Sequence, residues 1–445
     1  MASSGTGSRG GGHRAEDVGL RHSVRALRQR NFALFWTGSL ISNTGTWIQN
    51  ATVPYVLYQM THSAAWVGFA TFAQFIPSVL FGPLGGSLAD RLDRRRFLML
   101  TQTLLGILAI AMWLLWIAGL RSPAAILALV AVSGTLSGVN TPTWQAFVPA
   151  LVPREDLLSA ITLNSLQFNA ARAIGSALAG LVLYNFGPSN TFLFNAISYL
   201  CVLFALSLVR MPAFVPRVAP SGGVLTQFAA AVHYAARRPG ITIGILTSIG
   251  IAFLGYPIVQ FAVVFAQSVY RVGNLEYGLL AAAMGIGALV AAPLVSGWDT
   301  VMARATIARF AFPLYGASVL AFGVSANFIV GFVALVFAGA GFLAVISATN
   351  TAVQIIVADS MRGRVLACRT MSFTLAYALG GLVQGQLAEW FGPRATVGGA
   401  GGLLLAFALA LSFIRPSLLS HLDDPPDVAD GADGAVTPRR HPVVQ

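Results

Sequence analysis

The sequence contains no lysine and few charged residues of any kind. Of its 445 residues, 56% are apolar and 9% are charged, whereas a soluble domain carries about 25% charged residues. A chain that is this apolar along its whole length has no room for a large soluble domain. All 27 of its basic residues are arginine.

Cysteine and histidine are also scarce. Cys201 and Cys368 are the two cysteines; they fall within or beside apolar segments and lack metal-ligand spacing, which excludes a disulfide framework and a zinc site. All six histidines lie in predicted tails or loops, apart from any Ser/Asp or metal-ligand set. The sequence therefore predicts no metal, no cofactor and no enzymatic activity.

Nucleic acid is not a predicted partner, despite the net charge of +12. The arginines lie in short loops between apolar runs and form no continuous basic face. Orientation of the chain in a bilayer, with some attraction to anionic lipid, explains them better. Residues 1–30 are basic without an apolar core, so they are predicted to form a disordered cytoplasmic tail with an amphipathic lead-in at 24–30, and no signal peptide.

The sequence is rich in apolar segments of membrane-spanning length, about 20 residues each. They predict an all-α membrane protein with twelve spans in two six-helix bundles, 31–210 and 241–416. A cytoplasmic linker at 211–240, which contains Pro212, Pro216 and Pro220 and an amphipathic stretch at 225–238, joins the bundles. The acidic, proline-rich tail at 417–445 is predicted to be disordered. The predicted spans are 32–58, 65–88, 97–118, 124–148, 158–184, 189–209, 241–267, 276–298, 304–325, 328–356, 365–389 and 395–415.

Charge predicts the orientation of these spans. With both termini in the cytoplasm, all but four of the 27 arginines are assigned to the tails or to loops on the cytoplasmic side. The exceptions are Arg121, Arg271 and Arg394 in the opposite loops and Arg172 inside the fifth span.

The second half of the chain repeats the first. IGSALAGLVLYNFGP at 174–188 corresponds to LGGLVQGQLAEWFGP at 379–393, and Gly68 and Pro83 correspond to Gly278 and Pro293. Parallel six-helix halves with a substrate site between them, near the midplane, are typical of secondary transporters.

One loop is more informative than the others. Residues 85–96, GGSLADRLDRRR, join the second and third predicted spans. The spacing G-x-x-x-D-R-x-x-R-R, from Gly86 to Arg95, resembles the signature loop of major facilitator superfamily (MFS) transporters. Orientation alone would require the arginines but neither Asp90 nor the glycines, so we favour a functional role for this loop.

Within that superfamily, the chain is similar to the enterobactin-exporter-like branch, which includes siderophore and macrolide or multidrug exporters of bacteria. The resemblance implies a multi-pass plasma-membrane exporter driven by the proton gradient. The chain departs from the pattern at Asp93, where the family loop has glycine, and at 297–306, where the second copy of the loop is eroded to GWDTVMARAT. The resemblance covers 28–415 and is carried, besides the loop, by 31–61, 140–180 and 350–381.

Asp90 is the leading candidate for a gate. In a bundle closed on the outside, we expect it to lie beside the start of the eleventh span, 363–365, whose free N–H groups and positive dipole end attract a carboxylate. Asp299 could do a similar, weaker job, although we favour a solvated loop acid. Arg362 and Arg364 either orient the chain or take part in gating. The candidate gating residues are Gly86, Asp90, Arg91, Arg94, Arg95, Asp299, Arg362, Gly363 and Arg364.

Arg172 stands out because a cation inside a span is costly and has to face a partner or a wet cavity. We favour a structural role inside the amino-terminal bundle, with substrate binding as the alternative. The other cavity candidates are uncharged polar and aromatic residues, which suit a bulky amphipathic ligand, although Asn and Gln in spans also bridge helices. The candidate cavity residues are Asn43, Trp47, Gln49, Asn50, Asn140, Trp144, Gln145, Asn169, Arg172, Tyr256, Gln260, Asn350 and Gln354.

These features predict a monomeric exporter of a small amphipathic compound, siderophore or drug-like, in the bacterial cytoplasmic membrane. Its expected partners are that substrate, the bilayer and protons. Proton coupling usually needs a titratable group in the cavity, and no acid is predicted there, so coupling could use a peripheral acid or the substrate's own charge, or be absent. The alternatives are a lipid or lysolipid translocator, which a cavity open sideways would favour, and a transport-inactive sensor or a membrane enzyme.

Overall fold

The computed structural model describes residues 24–211 and 224–426, with side chains except at 224–225 and 296–301. Within these ranges the chain folds into helices and contains no strand. Ten helices are long and apolar enough to cross a membrane. Helices suit that environment because they satisfy their backbone hydrogen bonds internally.

The first half of the chain forms a bundle around a chain reversal at Gly187. This residue has φ 74° and ψ 176°, a conformation open to glycine, and it interrupts the helix Leu157–Leu208. Both parts of that helix return to the start of the first helix: Trp36 Nε1 donates to the Leu163 carbonyl at 2.9 Å, and Gly38 packs on Ala205. The helices are α1 (Arg30–Thr61), α2 (Ala64–Arg91), α3 (Arg94–Ile117), α4 (Pro123–Phe147), α5 (157–186) and α6 (188–208).

The second half contains one interrupted span, Pro239–Tyr270. Two stretches of wider π-helical turns lie within it, and the first ends beside Pro257, which lacks the N–H that a regular helix needs. The helices of this half are α7 (Val224–Ala236), α8 (Pro239–Gly250), α9 (Ile258–Val264), α10 (Asn274–Val301), α11 (Arg304–Val324), α12 (Phe328–Ile356), α13 (Asp359–Phe391), α14 (Pro393–Leu409) and α15 (Pro416–Ser420).

Every predicted span overlaps one of these helices, and the amphipathic stretch of the linker forms α7. The predicted tails were too long on both sides. Residues Arg25–Arg28 form a short 3-10 helix with Ala26 buried, held by an ion pair from Arg25 Nε to Asp156 Oδ1 at 3.1 Å. At the other end, Asp423 accepts hydrogen bonds from the Arg304 and Ala305 N–H groups that begin α11. The remaining parts of both tails, and linker residues 212–223, lie outside the described residues.

The two halves, α1–α6 and α8–α14, pack tightly at the end where α2 begins, which we call the sealed end. Gly180 of α5 and Gly278 of α10 meet there so closely that a Cβ on Gly180 would lie 2.5 Å from the Gly278 Cα. Gly68 of α2 meets Gly385 of α13 in the same way. Small residues allow such close backbone approach between membrane helices.

Toward the other end, where α2 ends, the halves separate. Further inward from the sealed end, the rings of Phe75 and Tyr377 still contact each other across the halves, with centroids 4.9 Å apart. Beyond that level Gly86 of α2 and Gly363 of α13 both face open space. We call this the open end.

Candidate functional site

A small cavity lies between the halves at the level where they begin to separate. Its volume is about 20 Å³, room for about one water molecule. Both halves contribute to its wall, and aromatic rings surround one cation. It is lined by Trp47, Arg172, Ser176, Tyr256, Val259, Ala281, Met284, Gly285 and Phe342.

Arg172 is the charged residue of this cavity. It lies fifteen residues into α5, which places it about 22 Å from the start of that helix. One Nη donates to Asn169 Oδ1 at 3.0 Å and the other to the Tyr256 hydroxyl at 3.4 Å, while the guanidinium carbon lies 6.0 Å from the centre of the Trp47 ring. A guanidinium has five N–H donors, so Arg172 can still bind an acceptor in the cavity.

Tyr256 lies at the interruption between α8 and α9 and joins both halves. Its ring stacks on Phe342 with centroids 4.9 Å apart, and it meets Phe373 and Tyr377 edge to face at 5.6 and 4.8 Å. The interruption frees backbone carbonyls, and Gln384 Nε2 donates to two of them, at 2.8 and 3.1 Å. The interrupted helix therefore presents an aromatic wall to the cavity without leaving those two carbonyls unpaired.

Of the thirteen cavity candidates, Trp47, Arg172 and Tyr256 line this cavity. Asn169 positions Arg172, and Gln260 is a hydrogen-bond neighbour of the Tyr377 hydroxyl.

Four further candidates form hydrogen bonds between helices of the amino-terminal half. Such bridging is the alternative role that the sequence predicted for Asn and Gln in spans. Gln49 pairs with Asn195, Asn50 with Gln74, Asn140 with Thr101 and Trp144 with Asn164. The sequence could not separate these roles, because a polar side chain on one helix can face either a neighbouring helix or the space between the halves.

The remaining candidates lie away from the cavity. Gln145 and Gln354 are exposed in the part of the bundle nearest the open end, and Asn43 is half-buried. Asn350 accepts a hydrogen bond from Arg369 Nη1 at 2.9 Å. That contact involves a residue that the charge pattern had grouped with the loop arginines.

Arg369 is the residue that sequence reasoning missed. It lies ten residues into α13 and is 9% exposed, with Nη2 donating to Thr349 Oγ1 at 3.3 Å. Its buried Nε has no hydrogen-bond partner. The signal was available, since the predicted eleventh span at 365–389 already contained this position.

The expected contact between Asp90 and the start of α13 is absent, so that prediction is wrong for this conformation. The Asp90 side chain is 37% exposed, and its ionic partner among the described residues is Arg94 at 3.9 Å. The reason is geometric: the halves touch at the sealed end, so α2 and α13 diverge toward the open end and leave Gly86 and Gly363 apart.

The other gating candidates make local contacts. Arg94 and Arg95 donate to backbone carbonyls of their own half, Arg95 to those of Leu206 and Ser207 at the end of α6. Arg362 pairs with Asp359 at 2.6 Å. Arg364 contacts Met361 and Arg91 is exposed, whereas the Asp299 side chain lies outside the described residues.

A carboxylate does cap a helix start across the halves, at the sealed end. Glu389, near the end of α13, accepts a short hydrogen bond from the Ser63 hydroxyl and a 3.0 Å bond from the Ala65 N–H. These donors begin α2, where free N–H groups and the dipole favour an anion. The expected contact joined an acid of α2, Asp90, to the start of α13. The observed contact joins an acid of α13, Glu389, to the start of α2, and it lies at the opposite end of the bundle.

Further contacts close the sealed end around Tyr55 and Tyr277. The two rings stack with centroids 5.5 Å apart, the Tyr55 hydroxyl donates to Asn274 Oδ1 at 2.8 Å, and the Tyr277 hydroxyl donates to the Ala51 carbonyl at 2.5 Å. These bonds join α1 to α10, and both tyrosines are buried.

A second, apolar groove of about 480 Å³ lies within the carboxy-terminal half, between the interruption of α8, α13 and α14. Phe253, Val383, Phe391 and Leu403 are among its lining residues. It shares no lining residue with the cavity around Arg172. It is therefore separate from the space between the halves.

Sequence comparisons give relatives across nearly the whole chain. A family profile described as "transmembrane secretion effector" matches residues 22–444. The staphyloferrin A transporter of Staphylococcus aureus is 24% identical over 399 residues, covering 88% of this chain and 98% of that protein. The enterobactin exporter EntS of Citrobacter koseri is 27% identical over 417 residues, covering 90% and 95%.

Solved structures share the fold. A bacterial homologue of the human lysosomal transporter Spinster, in an inward-facing and unoccupied conformation, has a TM-score of 0.69 at 17% identity and covers 89% of this chain and 99% of that one. The nucleoside transporter NupG has a TM-score of 0.70 at 11% identity and covers 88% and 99%.

Proposed function

Because the chain belongs to the transmembrane secretion effector family of the MFS, we propose that it exports a small amphipathic compound across the bacterial cytoplasmic membrane by alternating access. The membership itself establishes a multi-pass membrane transporter of a small molecule and confirms the prediction that the chain is not an enzyme. One observation carries the proposal: two halves are sealed at one end and apart at the other, around a cavity that holds Arg172. The relatives named for staphyloferrin A and enterobactin support a siderophore-like substrate.

The proposed topology has twelve spans and both termini in the cytoplasm. Ten helices meet the length and hydropathy of a span. The chain reversal at Gly187 divides one of them into two, and α1, which is 32 residues long and packs along both α5 and α6, supplies the twelfth. Arginines of the loop 91–96 and of the start of α13 lie at the open end, so we assign that end to the cytoplasm. The two bundles are 31–210 and 241–416.

In this arrangement the structure corresponds to the state open to the cytoplasm. Substrate would enter from the open end, reach the cavity and leave after the sealed end separates. Closure of the cytoplasmic end would bring Gly86 and Asp90 toward Gly363, the contact absent here. The first-turn N–H groups of α13 carry no side-chain cap in this state, so they are available to a carboxylate.

Export of a bulky compound is tested by accumulation in cells. A panel of siderophores and drugs is supplied to a strain with the protein and to the same strain without it. We expect at least one compound to accumulate about tenfold less when the protein is present, the scale of a 1.4 kcal/mol difference in free energy. Equal accumulation of every compound would contradict export.

Lipid translocation is not favoured over this proposal. The groove of the carboxy-terminal half is lined mostly by apolar residues, which would suit a lipid tail, but it shares no lining residue with the cavity around Arg172. A lipid held there would not be moved by separation of the two halves.

Glu389 is our candidate for coupling outward opening to protons. It is exposed at the sealed end, and its carboxylate holds the start of α2. Protonation would weaken these charge-assisted hydrogen bonds, so a proton arriving from outside would favour separation of the halves.

Replacement of Glu389 with glutamine is expected to raise the population open at the sealed end about fivefold, because the amide binds the N–H groups of α2 more weakly than the carboxylate does. The readout is labelling of Ala281→Cys, in the cavity wall, by an impermeant thiol reagent added outside to protein with Cys201 and Cys368 changed to alanine. Glu276→Gln is the control, because Glu276 lies at the same end of the bundle but makes no described hydrogen bond from one half to the other. Unchanged labelling in Glu389→Gln would contradict the proposal that Glu389 holds the sealed end closed.

A further inference from the structure

Two arginines lie ten or more residues from either end of their helices, and neither has a carboxylate partner among the described side chains. Arg172 is about 22 Å from the start of α5, and Arg369 is about 15 Å from the start of α13. A cation at such depth is expensive unless it meets an opposite charge or water. Among residues 24–211 and 226–426 with described side chains, no carboxylate lies within 4.0 Å of either guanidinium. The acids that form ion pairs use other partners, namely Arg25, Arg94, Arg304, Arg362 and His421.

The surroundings of Arg369 supply dipoles but no counter-charge. Its two Nη atoms donate to Asn350 and Thr349 of α12, and its buried Nε donates to nothing. Hydrogen bonds to neutral groups do not cancel a net charge, and an unpaired N–H in a buried site costs free energy of its own. A purely structural bridge between α12 and α13 would use the two Nη atoms and would gain nothing from a buried, unsatisfied Nε.

The two cations lie at opposite ends of one aromatic row. Arg369, Phe373 and Tyr377 are spaced by four residues and so lie on one face of α13. The rings of Phe373 and Tyr377 both contact Tyr256, whose hydroxyl accepts from Arg172. The row therefore runs from Arg369, on the side of the open end, to Arg172 in the cavity, with one guanidinium contributed by each half.

We propose that the exported compound is an organic anion with an aromatic or other apolar body, whose acidic oxygens are neutralised by Arg172 in the cavity and by Arg369 nearer the open end. This inference rests on the proposed export function and adds the charge of the substrate to it. Guanidinium groups bind carboxylate through paired N–H donors. The rings of Trp47 and Tyr256 accommodate an apolar body beside that anion.

The test uses pairs of compounds that differ in one charge. Aromatic carboxylic acids and their methyl esters, with rhodamine 110 and its methyl ester rhodamine 123 as a fluorescent pair, are measured for accumulation in cells with and without the protein. We expect the wild-type protein to export the acids about tenfold better than the esters, the effect of one hydrogen bond to a charged group. Arg172→Gln should remove this preference, Arg172→Lys should retain part of it, and Arg369→Gln should reduce it.

Two controls keep the outcomes separate. The exposed Arg309→Gln, on α11, removes a positive charge far from the row and should leave the preference unchanged; the amount of folded protein is measured for each variant. Export of esters as effective as export of acids by the wild type would overturn the anion proposal and leave the export function intact. Export of no compound, acid or ester, would instead contradict the export function. Arg172→Gln and Arg369→Gln variants that fold normally and keep the acid preference would also overturn the proposal.

Discussion

Replacement of Gly278 with valine is expected to reduce transport to below about one-tenth of the wild-type rate. A Cβ on Gly278 would clash with the Gly180 Cα and lie 2.8 Å from the Gly180 nitrogen, and these are backbone atoms, which cannot rotate away. Overpacking of this kind costs about 1–3 kcal/mol or more. The strain is present only when the halves meet, so it should act against the sealed conformation more than against the fold of either half.

Two measurements distinguish this trapping from misfolding. Valine at Gly278 should increase labelling of Ala281→Cys from outside, while the amount of folded protein stays near that of the wild type. Gly402→Val is the matched control, because a Cβ at Gly402 on α14 meets nothing within 4 Å. Wild-type transport by Gly278→Val would show that close approach at this seam is not required for the cycle.

Much of the helical architecture followed from the sequence, because its signals are local. Apolar length located the helices, and the observed break at Gly187 falls in the gap between the predicted spans 158–184 and 189–209. The same local reasoning made both tails too long. Arg25 and Asp423 are held by Asp156 and by the start of α11, at distant positions in the chain that composition does not reveal.

The site was less predictable, because its members are defined by contacts between the halves. Trp47, Arg172 and Tyr256 were identified by residue type and helix and do meet in the cavity. Gln49 and Asn140 have the same character but face helices of their own half. No sequence pattern records which way a polar side chain points once its helix is packed.

The sequence also could not predict which end of the bundle is closed in this structure. A carboxylate on a helix start was expected at the Asp90 end, and the structure has one at the Glu389 end instead. Alternating access requires contacts of this type to form by turns, since one set of rigid halves cannot close at both ends. The sequence contains both acids, and we propose that the conformation decides which of them is engaged.

Replacement of Asp90 with asparagine is therefore expected to abolish efflux while leaving the protein folded. In the conformation described here Asp90 is half-exposed and weakly paired, so the change removes little from this state. In the alternate state, closed to the cytoplasm, the carboxylate would lose its charge-assisted hydrogen bonds to the first turn of α13, about 1.5–3 kcal/mol, and that state would become rare.

The population of the alternate state can be read from a disulfide between Gly86→Cys and Gly363→Cys, in protein without Cys201 and Cys368, since both positions face open space here. Cross-linking should fall about tenfold when Asp90→Asn is added. Asp93→Asn is the matched control: Asp93 caps α3 by accepting from the Arg96 N–H, and asparagine caps as well as aspartate, so efflux should persist. If Asp90→Asn exports normally and cross-links as the wild type does, Asp90 has no part in closing the cytoplasmic end.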